Sequence, residues 1–522
     1  MTIDSGREVY LLVMAVDKLV VVVLDSLKRD WLGAYGSSRG ATPVLDRFAA
    51  ESIVFDRHHV GSLPCMPARH DILVGALDFP WRPWGSIEIW EDAVTRDLRR
   101  ESVITMLVSD HPHLFEVGGE NYHVDFTAWR YERGHESDPW RTRPDPTWIG
   151  TPAPPVDSHP RGRFQYEDSR TWFRSEADFP GPRTMAAAAD WIRDESCRDG
   201  RWFLFVDEFD PHEPFDTPEP WASMFRDRDD DPRTIWPPYV VGGRARGVVS
   251  EADARSLVAA YTAKVAMIDH WFGRVLAAID ESGQADDTAV IVTTDHGHYL
   301  GEHDVWGKPG HPIMDALGHI PLMVRWPGGA ARRSEALTTS VDLHATILDV
   351  FGARTDHRTH GRSLVPLIEA RTSSVRDCVL AGYWGREVLL VTHDWNYVRG
   401  SRGRGYPLSM WSNRWSTMPV HGRPDLRLPR PDSRARLDRM PGSDVPVIRQ
   451  PFEPGDLLPF WAHGGLVDED RLFSRVDDRE QRHDRSGDVG SAAVLDQLTD
   501  HLRDELRVLE VPDDLLTRLA LA

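Results

Sequence analysis

Three apolar runs show no alternation of polar positions: residues 19–24 (Leu-Val-Val-Val-Val-Leu), 202–206 and 289–294. Continuous runs of this kind, rich in β-branched residues, are the mark of strands covered on both faces of a parallel sheet. An acidic residue follows each: Asp25, Asp207 and Asp295. In open α/β sheets ligands bind outside the carboxyl ends of strands, so polar residues at these exits are expected to share one crevice. Between the second and third runs, Leu257, Val265, Ile268, Phe272, Val275, Leu276 and Ile279 recur at spacings of three and four, which predicts a helix within 253–281. The alternation predicts an α/β sandwich. Near the end, Val494, Leu495, Leu498, Leu502, Leu506 and Leu509 form one stripe of an amphipathic helix.

Residues 129–185 and 397–460 are rich in Pro, Arg, Trp and Gly without periodicity. They are expected to be long ordered loops or insertions over the core, where substrate selection usually resides. The chain is divided as a lead-in over 1–17, a catalytic α/β domain over 18–361 and a smaller C-terminal α+β domain over 362–522.

Composition narrows the classes. A chain of 522 residues, 27% charged and 41% hydrophobic, has the balance of a globular protein with a large core. Its net charge of -21 repels polyanions, so no nucleic-acid partner is expected, although a small anion can still enter a locally positive site. Cys65, Cys197 and Cys378 are too few and too scattered for a disulfide framework or a CxxC metal site. The apolar run over 10–16 is too short for a bilayer and follows Asp4 and Glu8. No signal peptide or membrane anchor is read, and the expected location is cytoplasmic. A homo-oligomer is left open.

The chemistry concentrates in Leu63-Pro-Cys65-Met-Pro67-Ala-Arg69-His70. By themselves these residues leave two readings: a structural thiol near a turn, or a helix starting at Pro67 that puts Arg69 beside Cys65 to hold an anion. Asp25 and Asp295 could equally be helix caps after strands. His212, in the Pro-rich stretch 210–215, could simply hold its loop, and Lys308 could be a solvated charge.

Cys-x-Pro-x-Arg, matched by Cys65, Pro67 and Arg69, is the sulfatase signal for oxidation of cysteine to formylglycine. Other fragments follow in order: Asp25, Leu32-Gly-Ala-Tyr-Gly36, Thr42-Pro-Val-Leu-Asp46, Asp210-Pro-His212, Asp295-His296-Gly297, Leu300-Gly-Glu-His303, Trp306-Gly-Lys308, Ile320 to Gly328, Val341-Asp342-Leu343 and His360 to Leu364. On these, residues 18–370 resemble the sulfatase family of the alkaline phosphatase superfamily, with a weaker echo at Arg471-Leu-Phe473.

The resemblance implies an alkaline-phosphatase-like three-layer α/β/α sandwich with a mostly parallel sheet. It implies hydrolysis of small sulfate esters through a formylglycine made from Cys65 by a separate maturation enzyme. One divalent metal would be held by Asp25, Asp295, His296 and residue 65. In the family's mechanism the aldehyde hydrates, one hydroxyl attacks sulfur or phosphorus, and the other drives release of the bound oxyanion. Arg69 would steady that diol and the metal shell. His212 and Lys308 would contact the ester oxygens, one of them protonating or charge-compensating the leaving group.

Two departures matter. Many sulfatases carry Asp-Asp and Asp-Asn where this chain has Asp25-Ser26 and Asp295-His296. The family's oxygen shell suits Ca2+, and an imidazole in it moves preference toward manganese, zinc or iron, so Mn2+ or the family's Ca2+ is expected, with Zn2+ or Fe2+ open. This shell is similar to that of phosphonate monoester hydrolases, which makes phosphonate monoesters or phosphodiesters the alternative substrates. A non-catalytic binding protein on a sulfatase-like fold is the third reading, which retention of Arg69, His212 and Lys308 opposes. The family's Gly-Lys-Trp-His-Leu-Gly stretch is missing, and Val108 to Phe115 stands in its place, offering His111 or His113 as substrate contacts or merely as loop histidines. Trp81, Trp84 and Trp90 suit either an aromatic wall for an aryl or sugar group, or packing.

Overall fold

A computed structural model describes residues 16–522 except 117, 137, 151–162, 197–198, 229, 309–311, 416–429 and 460–466, and leaves aside the side chains of 163–165. Most of the lead-in, and Cys197, lie outside the described residues.

Eight strands form the central sheet: β1 (Lys18–Leu24), β2 (Ile53–His59), β3 (Ile104–Ser109), β4 (Ala128–Tyr131), β5 (Trp202–Glu208), β6 (Thr288–Thr293), β7 (His319–Arg325) and β8 (Arg332–Thr339), in the order β8-β2-β7-β6-β1-β5-β3-β4. β1 lies parallel between β5 and β6, and β7 runs against both its neighbours. Every residue of β1, β5 and β6 is buried, which is why their sequences do not alternate.

The two faces of β1 feed two cores. Val20, Val22 and Leu24 pack with α1 (Pro43–Ala50), α5 (Pro180–Asp190) and α6 (Glu251–Glu281). Leu19, Val21 and Val23 pack with α2 (Cys65–Val74), α3 (Val94–Arg100) and α7 (Val341–Phe351). The result is the expected α/β/α layering. The start of α6 is fixed by a capping box, Ser250 accepting from the Asp253 amide while Asp253 accepts from Ser250.

A five-stranded sheet follows, built from β9 (Val379–Tyr383), β10 (Val388–Val391), β11 (Trp395–Arg399) and β15 (Arg471–Ser474), and its fifth member is the short strand Ser62–Leu63. The chain immediately before Cys65 is thus the edge of the C-terminal sheet. The predicted C-terminal helix is α8 (Ala492–Val508), which buries Leu498, Leu502 and Leu506 against Leu380, Leu390 and Tyr397.

The two stretches expected as ordered loops or insertions carry regular elements, as insertions do. Residues 129–185 contain most of β4, the helix α4 (Arg163–Arg170), and the start of α5. Residues 397–460 contain a three-stranded sheet of β12 (Leu408–Ser412), β13 (Arg436–Arg439) and β14 (Pro446–Phe452). These elements are short, and β4 and β13 leave most side chains in solvent, so no apolar periodicity marks them. Trp81 packs edge-on against Trp411, with Trp90 beside the pair, and Trp84 is buried, so these rings serve packing. Among the described residues, no helix is long and apolar enough to cross a membrane.

Candidate active site and metal centre

The strand exits converge as their spacing predicts. Asp25 follows β1 directly, and Asp295 and His296 follow β6. Across from them α2 begins at Cys65, two residues earlier than the expected start at Pro67. Asp71 in the same helix accepts from the amide and hydroxyl of Ser62 and ties α2 to the strand that delivers Cys65. As a result one donor atom each from Asp25, Cys65, Asp295 and His296 lies within 4.8 Å of all the others, and all four residues are buried.

The details suit a cation. His296 Nδ1 donates to the Gly297 carbonyl at 2.8 Å, which leaves the Nε2 lone pair facing the cluster. That nitrogen is 3.2 Å from Cys65 Sγ and 3.4 Å from Asp295 Oδ2. Asp25 Oδ2 is buried without a hydrogen-bond partner. Burial and the neighbouring Asp295 carboxylate push the Asp25 pKa well above the usual range, against the pull of Arg69 and Lys308. Two carboxylates and one imidazole fit a first-row divalent ion. Ser26, in the left-handed region at φ 64°, donates its amide to Asp295 Oδ1 and its hydroxyl to Asp25 Oδ1, so it aligns both carboxylates.

Arg69 is the hub of the ion pairs. Its Nε and Nη2 grip Asp207 at 2.8 and 2.7 Å, its Nη1 reaches Asp295 Oδ2 at 2.7 Å, and its Nη2 lies 2.9 Å from Asp25 Oδ2. Nη1 also donates to the Cys65 carbonyl at 3.1 Å. Asp207 does not follow its strand as the apolar run suggests. It is the penultimate residue of β5, paired with Val23 and Ser109, because the ladder on both sides continues past the apolar stretch.

Lys308 is buried, with Nζ 3.4 Å from Ser26 Oγ and 3.7 Å from Cys65 Sγ. Burial alone would lower its pKa, but Cys65, Glu213, Asp25 and Asp295 reverse the sign, so it stays charged. His212 donates from Nδ1 to the Glu213 carbonyl and stacks on Phe209 with 4.2 Å between ring centres. Burial holds it well below the usual histidine range.

His111 is fully buried, with neither ring nitrogen hydrogen-bonded, and its Nδ1 is 3.8 Å from Asp207 Oδ2. Burial and then Arg69 keep it neutral. His113 stands behind it, edge-on at 5.2 Å, and donates to Glu116. Burial would lower the His113 pKa, but Glu116 and Glu136 raise it overall.

Sequence reasoning missed three participants. Asp207 was visible as a strand-end acid, but its guanidinium partner was not. Ser26 carries no signal beyond its place after Asp25. His298, fully buried with both ring nitrogens lacking a hydrogen-bond partner, is held near 3 by burial and sits close enough to Lys308 and His296 to feel their charge. Its position two residues after His296 was the available hint.

A family model described as Sulfatase matches residues 17–353. The multifunctional alkaline phosphatase superfamily protein PehA of Trinickia caryophylli is 26% identical over 420 residues, covering 69% of this chain and 78% of that protein. An arylsulfatase of Clostridium perfringens is 22% identical over 416 residues, covering 69% and 80%. In fold, the crystal structure of the phosphonate monoester hydrolase of Agrobacterium radiobacter is similar with a TM-score of 0.66 at 18% identity, covering 94% of this chain and 96% of that one.

Proposed function

Because the chain belongs to the sulfatase family, matched over residues 17–353, we propose that it hydrolyses small sulfate esters with formylglycine, matured from Cys65, as nucleophile. One divalent cation is held by Asp25, Asp295, His296 and the matured residue 65. The observation that carries this reading is the buried cluster of four donor atoms within 4.8 Å of one another.

The unmodified thiol is a poor nucleophile here. Burial pushes its pKa well up, with the attraction of Lys308 too weak to compensate, and the thiolate is the reactive form. Oxidation to the aldehyde removes that obstacle: its hydrate supplies a hydroxyl to attack, and its re-formation expels the bound anion. A cation bound there would supply charge for the ester oxyanion and make that hydroxyl more acidic.

The chain's own groups do the rest. Arg69, locked by three carboxylates, orients the shell around residue 65. Lys308 stays protonated next to the nucleophile and offsets charge developing on the ester oxygens. His212, neutral, donates from Nδ1 to a carbonyl, so its Nε2 is a hydrogen-bond acceptor and not a proton donor to the leaving oxygen, whose developing charge Lys308 offsets. His111, neutral and unpaired beside Arg69, offers one donor to an ester oxygen where the family pattern has lysine.

The imidazole of His296 in the donor set favours manganese over calcium, and it gives the second reading its footing: phosphonate monoesters or phosphodiesters turned over by the same residues. Steady-state kinetics on an aryl sulfate and a matched aryl phosphonate monoester, each in Mn2+ and in Ca2+, separate the two. The expected outcome is higher kcat/KM for the sulfate and higher activity in Mn2+. A phosphonate preference of orders of magnitude moves the assignment to the second reading, and no turnover of either substrate by protein with a matured residue 65 rejects both.

A further inference from the structure

Asp25 and Asp295 each face two demands. The oxygen of Asp295 that Arg69 Nη1 holds at 2.7 Å, Oδ2, points to His296 Nε2, and the oxygen of Asp25 that lies 2.9 Å from Arg69 Nη2 is the one with no hydrogen-bond partner. The other oxygen of each is taken by Ser26. A cation in the cluster and the guanidinium of Arg69 therefore compete for the same two oxygens. Asp207 has no such conflict: both its oxygens serve Arg69, in the two-pronged geometry that fixes the plane of a guanidinium.

Its anchorage is rigid. Asp207 is fully buried, its backbone is paired on both sides within the sheet, and its carbonyl accepts from Ser109 Oγ at 2.7 Å. We infer that Asp207 is a positioning residue that restrains Arg69 from the far side, so that the cation, and not the guanidinium, claims Asp25 and Asp295. Without the Asp207 charge, a buried guanidinium has only those two carboxylates to pair with, because an uncompensated buried charge is costly. The metal site is then filled by Arg69. The inference rests on the proposed ligand set of Asp25, Asp295 and His296.

Calorimetric titration of Mn2+ into the metal-free full chain tests it. Asp207→Asn is expected to weaken Mn2+ binding by about tenfold or more, the usual effect of losing a supporting group behind a metal ligand. Activity should then be lost at limiting Mn2+ and largely recovered at excess. Asp207→Glu, which keeps the charge, should restore much of the affinity, and the paired change Arg69→Gln with Asp207→Asn should bind Mn2+ at least as well as the single variant, since the competitor is gone. If Asp207→Asn alone does not fold, the pair is compared with Arg69→Gln: equal Mn2+ affinity is expected, because Asp207 acts through Arg69, and weaker binding by the pair overturns the role.

Asp295→Asn serves as the reference. If Asp295→Asn binds Mn2+ like the parent, the ligand assignment fails. If Asp295→Asn loses Mn2+ while Asp207→Asn binds it with parental affinity, the ligand assignment stands and the role given to Asp207 is wrong. A paired variant binding more weakly than Asp207→Asn alone also overturns that role.

Discussion

Lys308 is the sharpest case at the scale of single residues. A charged ammonium 3.7 Å from Cys65 Sγ, buried among Asp25, Asp295 and Glu213, is well placed, under the proposed function, to stabilise charge that develops only as the ester bond breaks. Lys308→Ala should lower kcat by about 100- to 1,000-fold while leaving Mn2+ affinity within a few-fold of the parent. Pre-steady-state and calorimetric measurements read the two quantities separately, and a loss of metal with retained kcat would assign Lys308 to the ligand shell. The apolar runs placed Asp25 and Asp295 at strand exits, but the roles of Asp25, Cys65, Arg69, Asp295 and His296 were legible only through the resemblance to the sulfatase motifs, since each residue alone also suits a cap, a turn or a structural thiol. Asp207 shared that signal, but one sequence does not say which guanidinium a carboxylate will meet 138 positions away. Ser26 and His298 had only their places beside Asp25 and His296 as a hint.

Among the elements, α2 matters most, since it carries both Cys65 and Arg69 and is pinned at each end. Asp71, in its second half, reaches back to Ser62 ahead of its start, and at its end Gly75 closes the helix in the left-handed region at φ 78°. A Cβ on Gly75 would lie 2.5 Å from His344 Nδ1 in α7, whereas one on Gly352, the left-handed cap of α7, would meet nothing within 4 Å. Gly352→Ala should therefore cost only the backbone strain, about 1 kcal/mol, and Gly75→Ala clearly more, about 2–4 kcal/mol, because α2 and α7 must also move apart. Chemical denaturation of the two variants side by side checks this, and equal losses would mean that the contact relaxes freely. The strands were readable because β1, β5 and β6 are apolar on both faces. β4, β12 and β13 were not, because they are short and pair at sheet edges or in a small outlying sheet, where register comes from neighbours and not from the chain's own pattern.

For the molecule as a whole, buried neutral histidines set the response to acid. His58, His298, His344 and His360 are each held near 3, chiefly by burial. Unfolded, they take a proton near the ordinary value of about 6.5, so between about pH 6.5 and 3 the unfolded chain binds more protons and stability falls as the pH drops. Asp71 and Asp269, pushed up to about 7 by burial, keep their protons when folded and act in the opposite sense over the same interval. Each buried neutral histidine makes the melting temperature decline from pH 6.5 to 4 and each protonated carboxyl opposes it; the decline is expected to prevail, and His344→Gln should soften it. A profile that is flat, or rises toward pH 4, would show that the carboxyls dominate. The same whole-molecule view explains why the C-terminal sheet bears on catalysis: Ser62–Leu63 is its edge strand, so the segment that presents Cys65 is held by residues more than 300 positions later in the chain.

The central claim is that residue 65 acts as an aldehyde beside a cation. Mass analysis of the peptide containing residue 65, from protein made in cells with a formylglycine-generating enzyme, tests it most directly. The account predicts that one sulfur and two hydrogens are replaced by one oxygen in most of the active protein; an intact thiol throughout a fully active preparation would contradict it.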